Sequence, residues 1–244
     1  MPRSYRWPHP LLLSLLLGLS SACSESIDGP DGRRDLLFTF DGSTQGWSSG
    51  FTDLAPIQEP SVDFLFERRE LPTETQLMGG ALFLSGRNVS DDLFMFVAHP
   101  VEDLRPDTPY SLVFELELAS NAATGCTGIG GAPGESVFLK VGAASVQPAR
   151  VTNETGHYRL NVDKGNQSEG GANAQVVGDI ANGSTDCTSP TYRRITRDNR
   201  DDPLRITSNS EGRLWLLVGT DSGFEGNTAL YFDTIRVVLE PAEQ

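Results

Sequence analysis

Short segments that alternate between apolar and polar residues recur along the chain, and this pattern constrains its fold more than any other feature. In YSLVFELEL, residues 110–118, every second side chain from Tyr110 to Leu118 is apolar, and HYRLNVD, residues 157–163, alternates in the same way. Side chains two positions apart lie on one face of a β-strand, so each segment predicts a strand with one buried face. Other segments of this kind are LLFTF (36–40), VDFLFER (62–68), ALFLS (81–85), DLFMFVA (92–98), SVFLKV (136–141), QVVGDI (175–180), RLWLLVG (213–219) and ALYFDTIRVVLE (229–240).

The organisation of these strands predicts the fold class. About ten strands are separated by stretches rich in Gly, Pro, Asn and Asp, and no segment sustains a helical period. Strands that bury one face without helices pack as two sheets. We therefore expect an all-β protein, an antiparallel β-sandwich of the jelly-roll type, with residues 36–241 as a single domain.

The N-terminus predicts a signal peptide over residues 1–22. Arg3 and Arg6 precede LLLSLLLGLS, residues 11–20, an apolar run of the length found in secretory signals. A transmembrane helix needs about 20 apolar residues, so this run is too short to stay in a bilayer.

Cys23 follows in SSAC, at the position where a bacterial lipoprotein signal places its acylated cysteine, and the stretch resembles such a signal. Ser20 stands where that pattern has leucine, three residues before the cysteine. The resemblance implies a Cys23 that carries acyl chains such as palmitate, with residues 23–35 as a flexible tether. Plain cleavage after Ala22 would instead release a secreted protein.

The cysteine count bears on the same choice. The chain has three cysteines, Cys23, Cys126 and Cys187. If Cys23 carries lipid, the other two can form one disulfide in an oxidising compartment, whereas a free Cys23 leaves an odd thiol. We therefore predict a lipidated Cys23 and a Cys126–Cys187 bridge.

The glycine-rich stretch TGCTGIGGAPGE around Cys126 looks at first like a phosphate-binding loop. A P-loop requires Lys and Ser/Thr after its second glycine, but Gly131 and Ala132 follow Gly130. A dinucleotide motif is broken by Pro133, and a lone cysteine is no metal-ligand set. The stretch is therefore predicted to be a surface loop that the disulfide holds in place.

Charge excludes one class of partner. The formal net charge is −14, so electrostatics will not draw the chain to nucleic acid. The acidic surface is typical of a soluble extracytoplasmic domain.

Three motifs suggest a family. FTFDGSTQGW near the start, LRPDTPYSLVFELEL (104–118) and LYFDTIRVVLEP (230–241) occur in this order. Together they resemble carbohydrate-binding modules of the galactose-binding-like jelly-roll class. SDDLFMF and GGAPGESVFLK lie outside that pattern and resemble an uncharacterised bacterial secreted lipoprotein family. The resemblance implies a non-catalytic module that binds carbohydrate or another envelope ligand.

The resemblance also implies a structural calcium ion between the first and last strands. The matching residues are Asp41 and Asp233, with Asp221 or Glu225 as further carboxylate ligands. Alternatively, Asp41 and Asp233 only accept hydrogen bonds within turns.

Exposed aromatic residues are the usual surfaces on which sugar rings stack. Trp215 has the opposite parity to Leu214 and Leu216, although Leu217 shares its side, so a strand buried on both faces is the alternative. Tyr192 lies in an expected loop. Both are candidate ligand contacts.

Two other function classes stay open. Glu115 and Glu117 share a strand face with Cα atoms about 6.6 Å apart, and paired carboxylates can hydrolyse glycosides. The fuller acidic motif of β-sandwich glycosidases is missing, so no catalytic residue is assigned. The third class is a lipid-tethered domain that docks to another envelope protein without a small ligand.

Overall fold

A computed structural model describes residues 25–29 and 31–242 of the chain. Two antiparallel sheets pack face to face, and no α-helix occurs within these residues. The strands are β1 (Glu25–Asp28), β2 (Arg34–Phe38), β3 (Ser48–Thr52), β4 (Leu65–Glu70), β5 (Gly80–Arg87), β6 (Leu93–Val101), β7 (Pro109–Ser120), β8 (Val137–Ala144), β9 (Arg150–Thr152), β10 (Tyr158–Leu160), β11 (Ala174–Asp179), β12 (Arg193–Asp198), β13 (Leu204–Thr207), β14 (Leu214–Ser222) and β15 (Asn227–Pro241). Short 3-10 helices span Pro56–Ser61 and Thr73–Thr75.

The long strand β15 organises the first sheet, which has eight strands in the order β1-β2-β15-β5-β4 with β7 on the free side of β15. β12 and β13 pair in turn with the outer edge of β7. The second sheet has five strands in the order β11-β8-β14-β6-β3. β9 and β10 form a separate hairpin. The predicted antiparallel β-sandwich is confirmed.

The core lies between the two sheets. The apolar face predicted for β7 is fully buried, with Phe114 and Leu118 at 0% exposure, and β14 adds Leu214, Leu216 and Val218 from the opposite sheet. Burying a side chain of this size contributes about 1.5–3 kcal/mol. The alternation seen in the sequence therefore identifies the faces that hold the sandwich together.

The N-terminal segment differs from the expected tether. Residues 25–28 form β1, which pairs antiparallel with β2, so a flexible tether over 23–35 is wrong for these residues. The physical reason is a tight turn: the Gly29 amide donates to the Arg33 carbonyl over 2.8 Å, and Gly32 has a φ of 88° that favours glycine. The signal peptide and Cys23 lie outside the described residues. Within those residues, no helix is long and apolar enough to cross a bilayer.

The disulfide prediction is confirmed. Cys126 and Cys187 are bonded, with their Cα atoms 5.7 Å apart. The glycine-rich loop packs closely at this end of the sandwich: a Cβ at Gly128 would lie 2.4 Å from the Phe224 ring, and one at Gly130 would lie 2.3 Å from the Gly223 carbonyl oxygen. The glycines are thus explained by close approach of neighbouring segments rather than by a phosphate ligand.

Candidate functional site

The outer face of the five-stranded sheet is covered by residues 145–173, which we call the covering segment. Leu160 and Val162 of this segment pack onto Phe94, Phe96 and Leu217 of the sheet and form a second apolar cluster. HYRLNVD was predicted to face the core between the sheets, whereas its side chains Leu160 and Val162 lie on this outer cluster instead. The outer face is therefore partly enclosed, with room for a site beneath and beside the covering segment.

Four charged side chains are buried where the covering segment meets the sheet, and we call them the buried cluster: Asp53, Lys140, Lys164 and Asp221. Lys140 Nζ lies 2.8 Å from Asp221 Oδ2, and Lys164 Nζ lies 2.7 Å from the same oxygen. Lys164 Nζ also lies 3.0 Å from Asp53 Oδ2. The side chains of Lys140 and Asp221 are 0% exposed. Charges this deep persist only when paired.

Lys140 joins the sheet to the covering segment. Besides Asp221, its ammonium group donates to the carbonyl oxygens of Lys164 and Glu169, each over 2.9 Å. Burial lowers the pKa of Lys140, while Asp221 opposes that shift. For Lys164, burial also acts to lower the pKa, but the carboxylates of Asp221 and Asp53 outweigh it and raise the pKa.

A cavity of about 450 Å³ opens beside the buried cluster, and we call it the polar cavity. Asp53, Asp92, Arg159 and the run 160–166 line it. Arg159 Nη1 lies 2.9 Å from Asp53 Oδ1 and 3.9 Å from Asp92 Oδ2. The polar cavity therefore presents a guanidinium group between two carboxylates.

Asp92 is the least satisfied of these carboxylates. Its Oδ1 is buried and has no hydrogen-bond partner within the described residues. Burial, and then the negative charges of Asp53 and Asp221, raise the pKa of Asp92 to about 6. Asp53 differs, since Lys164, Arg159 and the Thr52 hydroxyl together engage both of its oxygens.

The polar cavity also holds hydrogen-bonding groups that the chain leaves unused. The contacts of Arg159 with other described residues all use Nη1, so Nε and Nη2 are left for a ligand on a side chain that is 41% exposed. The exposed Asn166 amide makes no side-chain hydrogen bond within the described part of the chain. Donors and acceptors thus face the same space.

An aromatic groove lies across the β9–β10 hairpin from the polar cavity. Phe51, Phe64, Phe96 and Arg150 line this space of about 380 Å³. The Phe51 and Phe64 rings are 4.8 Å apart, and the Arg150 guanidinium lies 5.2 Å from the Phe51 ring centre. The hairpin is fixed here because the Tyr158 amide donates to the Leu54 carbonyl over 2.9 Å.

The aromatic candidates from the sequence lie on opposite faces of the molecule. Trp215 does point away from the core, but it is half-buried against the apolar cluster under the covering segment. Tyr192 is half-buried on the outer face of the eight-stranded sheet, with its ring 5.1 Å from that of Tyr231. Neither residue lines the polar cavity or the aromatic groove, and their contact with a ligand stays a prediction.

The four acids expected to bind calcium do not come together. Asp221 belongs to the buried cluster, and Glu225 is exposed in the turn between β14 and β15. Asp41 accepts a hydrogen bond from the Gly80 amide over 3.2 Å. Burial raises the pKa of Asp233, and the negative charges of Glu117 and Asp41 add to this shift. Of the four expected calcium ligands, Asp41 and Asp233 therefore lie near each other.

Calcium takes six to eight oxygen ligands. The described residues hold no group of three or more His, Cys, Asp or Glu suited to a metal ion. An ion at Asp41 and Asp233 would therefore take most of its ligands from carbonyl groups and water, and structural calcium stays a prediction.

Glu115 and Glu117 are both paired with arginine. Glu115 lies 2.9 Å from Arg200 and 3.3 Å from Arg236, and Glu117 forms an ion pair with Arg194. Carboxylates held by guanidinium groups on an open strand face have little freedom to act as nucleophile or proton donor.

The sequence reading missed the buried cluster and the polar cavity. Asp53, Asp92, Lys140, Arg159 and Lys164 are spread over more than a hundred residues, and no local motif joins them. One signal was available: Lys140 and Lys164 are the only lysines among the 19 lysine and arginine residues of the chain. Both lysines meet at one oxygen of Asp221.

No family model and no curated protein matches the chain. Among solved structures, the chain is similar to the CBM22-1 xylan-binding domain of Paenibacillus barcinonensis Xyn10C, with 10% identity, 85% of this chain and 95% of that chain covered, and a TM-score of 0.38. It is also similar to the mannan-recognising module TmCBM27, with 14% identity, 84% of this chain and 96% of that chain covered, and a TM-score of 0.37. A third is TmCBM61 in complex with β-1,4-galactotriose, with 12% identity, coverage of 82% and 92%, and a TM-score of 0.34.

All three are carbohydrate-binding modules, the class that the sequence motifs resemble. All three TM-scores are below 0.5.

Proposed function

We propose that this chain is a non-catalytic binding module for an uncharged carbohydrate, and that the polar cavity holds the sugar. The proposal rests on two neighbouring side chains in that cavity whose capacity for hydrogen bonds the chain does not use. The Asp92 side chain is 29% exposed and accepts no hydrogen bond from the described residues, and Arg159 keeps Nε and Nη2 free beside it. A sugar hydroxyl both donates and accepts, so two neighbouring hydroxyls can satisfy a carboxylate and a guanidinium together.

The charge of the cavity favours a neutral ligand. Lys164 is paired with Asp53, and Arg159 lies between Asp53 and Asp92. The third carboxylate of the lining, Asp163, accepts the amides of Gly165 and Ala172. A uronic acid could pair with Arg159 only while it faces the carboxylate of Asp92 beside it, and an amino sugar could pair with Asp92 only while it faces the guanidinium of Arg159. Like charges in a shielded cavity repel strongly. A neutral polyol avoids both penalties.

Catalysis is not favoured by the same geometry. A carboxyl with a raised pKa, such as Asp92, can serve as a general acid. Glycoside hydrolysis needs a second free carboxylate. Asp53 is only 4% exposed and is engaged through both oxygens, and both oxygens of Asp163 accept backbone amides, so neither residue offers a free nucleophile or base. Glu115 and Glu117 lie on the other sheet, each in an ion pair.

The test uses the mature chain on an array of neutral oligosaccharides, followed by calorimetric titration with the best ligand. Arg159→Ala and Asp92→Asn should each weaken binding at least about tenfold, since a hydrogen bond to a charged group contributes about 1.5–3 kcal/mol. Glu117→Gln is the matched control on the opposite sheet and should bind as the wild type does. Full affinity in both cavity variants would place the sugar elsewhere. If no glycan binds, the docking alternative is favoured.

We further infer that the module is held at the bacterial envelope through a lipidated Cys23 and faces the extracytoplasmic side. The supports are the apolar signal-like run, the odd cysteine count and the Cys126–Cys187 bridge, which suits an oxidising compartment. Stable anchoring requires more than one acyl chain. Cys23→Ala should move the protein from membrane to soluble fractions or block its processing. A wild-type protein that is soluble and carries no lipid mass would instead be secreted.

A further inference from the structure

A second cavity lies at the disulfide end of the sandwich, and we call it the disulfide-end cavity. It has a volume of about 220 Å³. Four parts of the chain meet there: the end of β7, the glycine-rich loop, the segment after β11 with Cys187, and the turn from β14 to β15. Cys126 and Cys187 both line it, so the bridge forms part of its wall.

The disulfide-end cavity differs from the polar cavity because none of its lining residues is charged. Its apolar surface comes from alanines, Ile180, Pro133, Pro190 and the ring of Phe224. Charged residues make up 21% of the chain, and the polar cavity holds several of them. An uncharged wall admits an apolar group and neutral amides, and it gives a charged group no counterion.

The rim of the disulfide-end cavity carries hydrogen-bonding side chains that are not in use. Asn121, Thr127 and Asn227 line the opening, and none of them makes a side-chain hydrogen bond to the described part of the chain. Thr127 and Asn227 are exposed. An amide or hydroxyl at the edge of an apolar wall is the arrangement that positions a small ligand.

We propose that the disulfide-end cavity is a second site, which binds the acetamido group of an N-acetylhexosamine. The acetamido group has an apolar methyl and a neutral amide, which match the apolar wall and the amide and hydroxyl rim. The cavity volume suits a single sugar unit rather than a chain. The site lies apart from the polar cavity and needs neither Asp92 nor Arg159, so each site can fail without the other.

The disulfide links this site to redox state. The glycine-rich loop and the segment around Cys187 form facing walls, and the bridge holds them together. Gly128 lets the loop approach the Phe224 ring at a distance that no side chain allows. Loss of the bridge should therefore open the cavity and weaken the ligand.

The experiment follows chemical shifts of the mature chain during titration with N-acetylglucosamine, glucosamine and glucose. Only N-acetylglucosamine should shift signals around Phe224 and Thr127. Thr127→Ala and Asn227→Ala should each weaken it about fivefold or more. Thr152→Ala, at an exposed residue of β9 that lines neither cavity, is the matched control and should leave this affinity unchanged.

Three results would overturn the proposal: equal shifts around Phe224 and Thr127 with glucose or glucosamine, no shifts there with any of the sugars, or loss of these shifts in Asp92→Asn. A Cys126→Ser/Cys187→Ser double variant should also bind weakly, and circular dichroism would check its fold. The exposed-residue variants Thr127→Ala and Asn227→Ala keep the test decisive if the double variant unfolds.

Discussion

Both sheets carry ion pairs on their outer faces, but the pairs are open to solvent on one sheet and buried on the other. On the eight-stranded sheet, Arg200 and Arg236 pair with Glu115 on an open strand face. On the five-stranded sheet, Lys140 and Asp221 pair beneath the covering segment with no exposure at all. Exposed pairs contribute about 0–1 kcal/mol, whereas breaking a buried pair costs about 3–5 kcal/mol. Similar ion pairs therefore have different consequences on the two faces.

The buried ion pairs use lysine and the open ion pairs use arginine. An ammonium group has three N–H donors, and Lys140 uses them on three acceptors: Asp221 Oδ2 and the carbonyl oxygens of Lys164 and Glu169. Guanidinium groups are broad and planar, which suits the open face where Arg236 spans Asp35 and Glu115. The comparison predicts that breaking an ion pair will be costly under the covering segment and mild on the open face.

The largest effect is expected from Asp221→Ala. It leaves the ammonium group of Lys140 buried without a carboxylate, and we expect a loss of about 3–5 kcal/mol in the free energy of unfolding. Urea denaturation of the mature chain measures it. A loss below about 1 kcal/mol would mean that the buried cluster stabilises the fold no more than a surface ion pair does. That result would contradict the expected difference between the two faces.

Asp92→Asn is expected to have the next largest effect, and in the opposite direction. Because the folded pKa of Asp92 is about 6, against an unpaired value of 3.8, the folded protein binds more protons than the unfolded chain in that interval. Its contribution to stability therefore falls as pH rises from about 4 to about 6 and stays low at neutral pH. The uncharged amide should stabilise the fold at neutral pH by on the order of 2 kcal/mol.

The measurement compares denaturation of wild type and Asp92→Asn at about pH 4.5 and about pH 7.5. The gain should appear at the higher pH and shrink at the lower one. The same variant is expected to weaken carbohydrate binding, so at neutral pH it should be more stable than the wild type and bind carbohydrate less tightly. A variant that is less stable at neutral pH would show that the ionised carboxylate supports the fold.

The smallest effect is expected from Glu117→Ala on the open face. Its carboxylate pairs with Arg194, and both side chains are more than a third exposed. We expect a change within about 0.5 kcal/mol in the free energy of unfolding, and still less at high salt. A loss of several kcal/mol would make the ion pairs of this face as important as the buried cluster.

The sequence predicts the sandwich because alternation reports which face of a strand is buried. It does not report what covers that face. HYRLNVD alternates as a core strand does, yet Leu160 and Val162 pack on the outside of the sheet. Trp215 lies on the outward side of β14, but this side is not open to solvent there, since the covering segment packs against it.

The disulfide could be predicted because pairing follows from counting when only two cysteines are left. The polar cavity could not, because its parts come from three separate segments. Asp53 follows β3, Asp92 precedes β6, and Arg159 lies in β10. Only the packing of the covering segment on the sheet brings them together, and no local pattern encodes that contact.

The burial of both lysines has a consequence for chemical labelling. Reagents that acylate amines need an accessible neutral amine, and the side chains of Lys140 and Lys164 are 0% and 7% exposed. The rest of the basic surface is arginine, which such reagents do not modify. A lysine adduct on the native protein would therefore record a moment when the covering segment had lifted from the sheet. The rate at which the lysines are acylated would therefore report how often the covering segment opens.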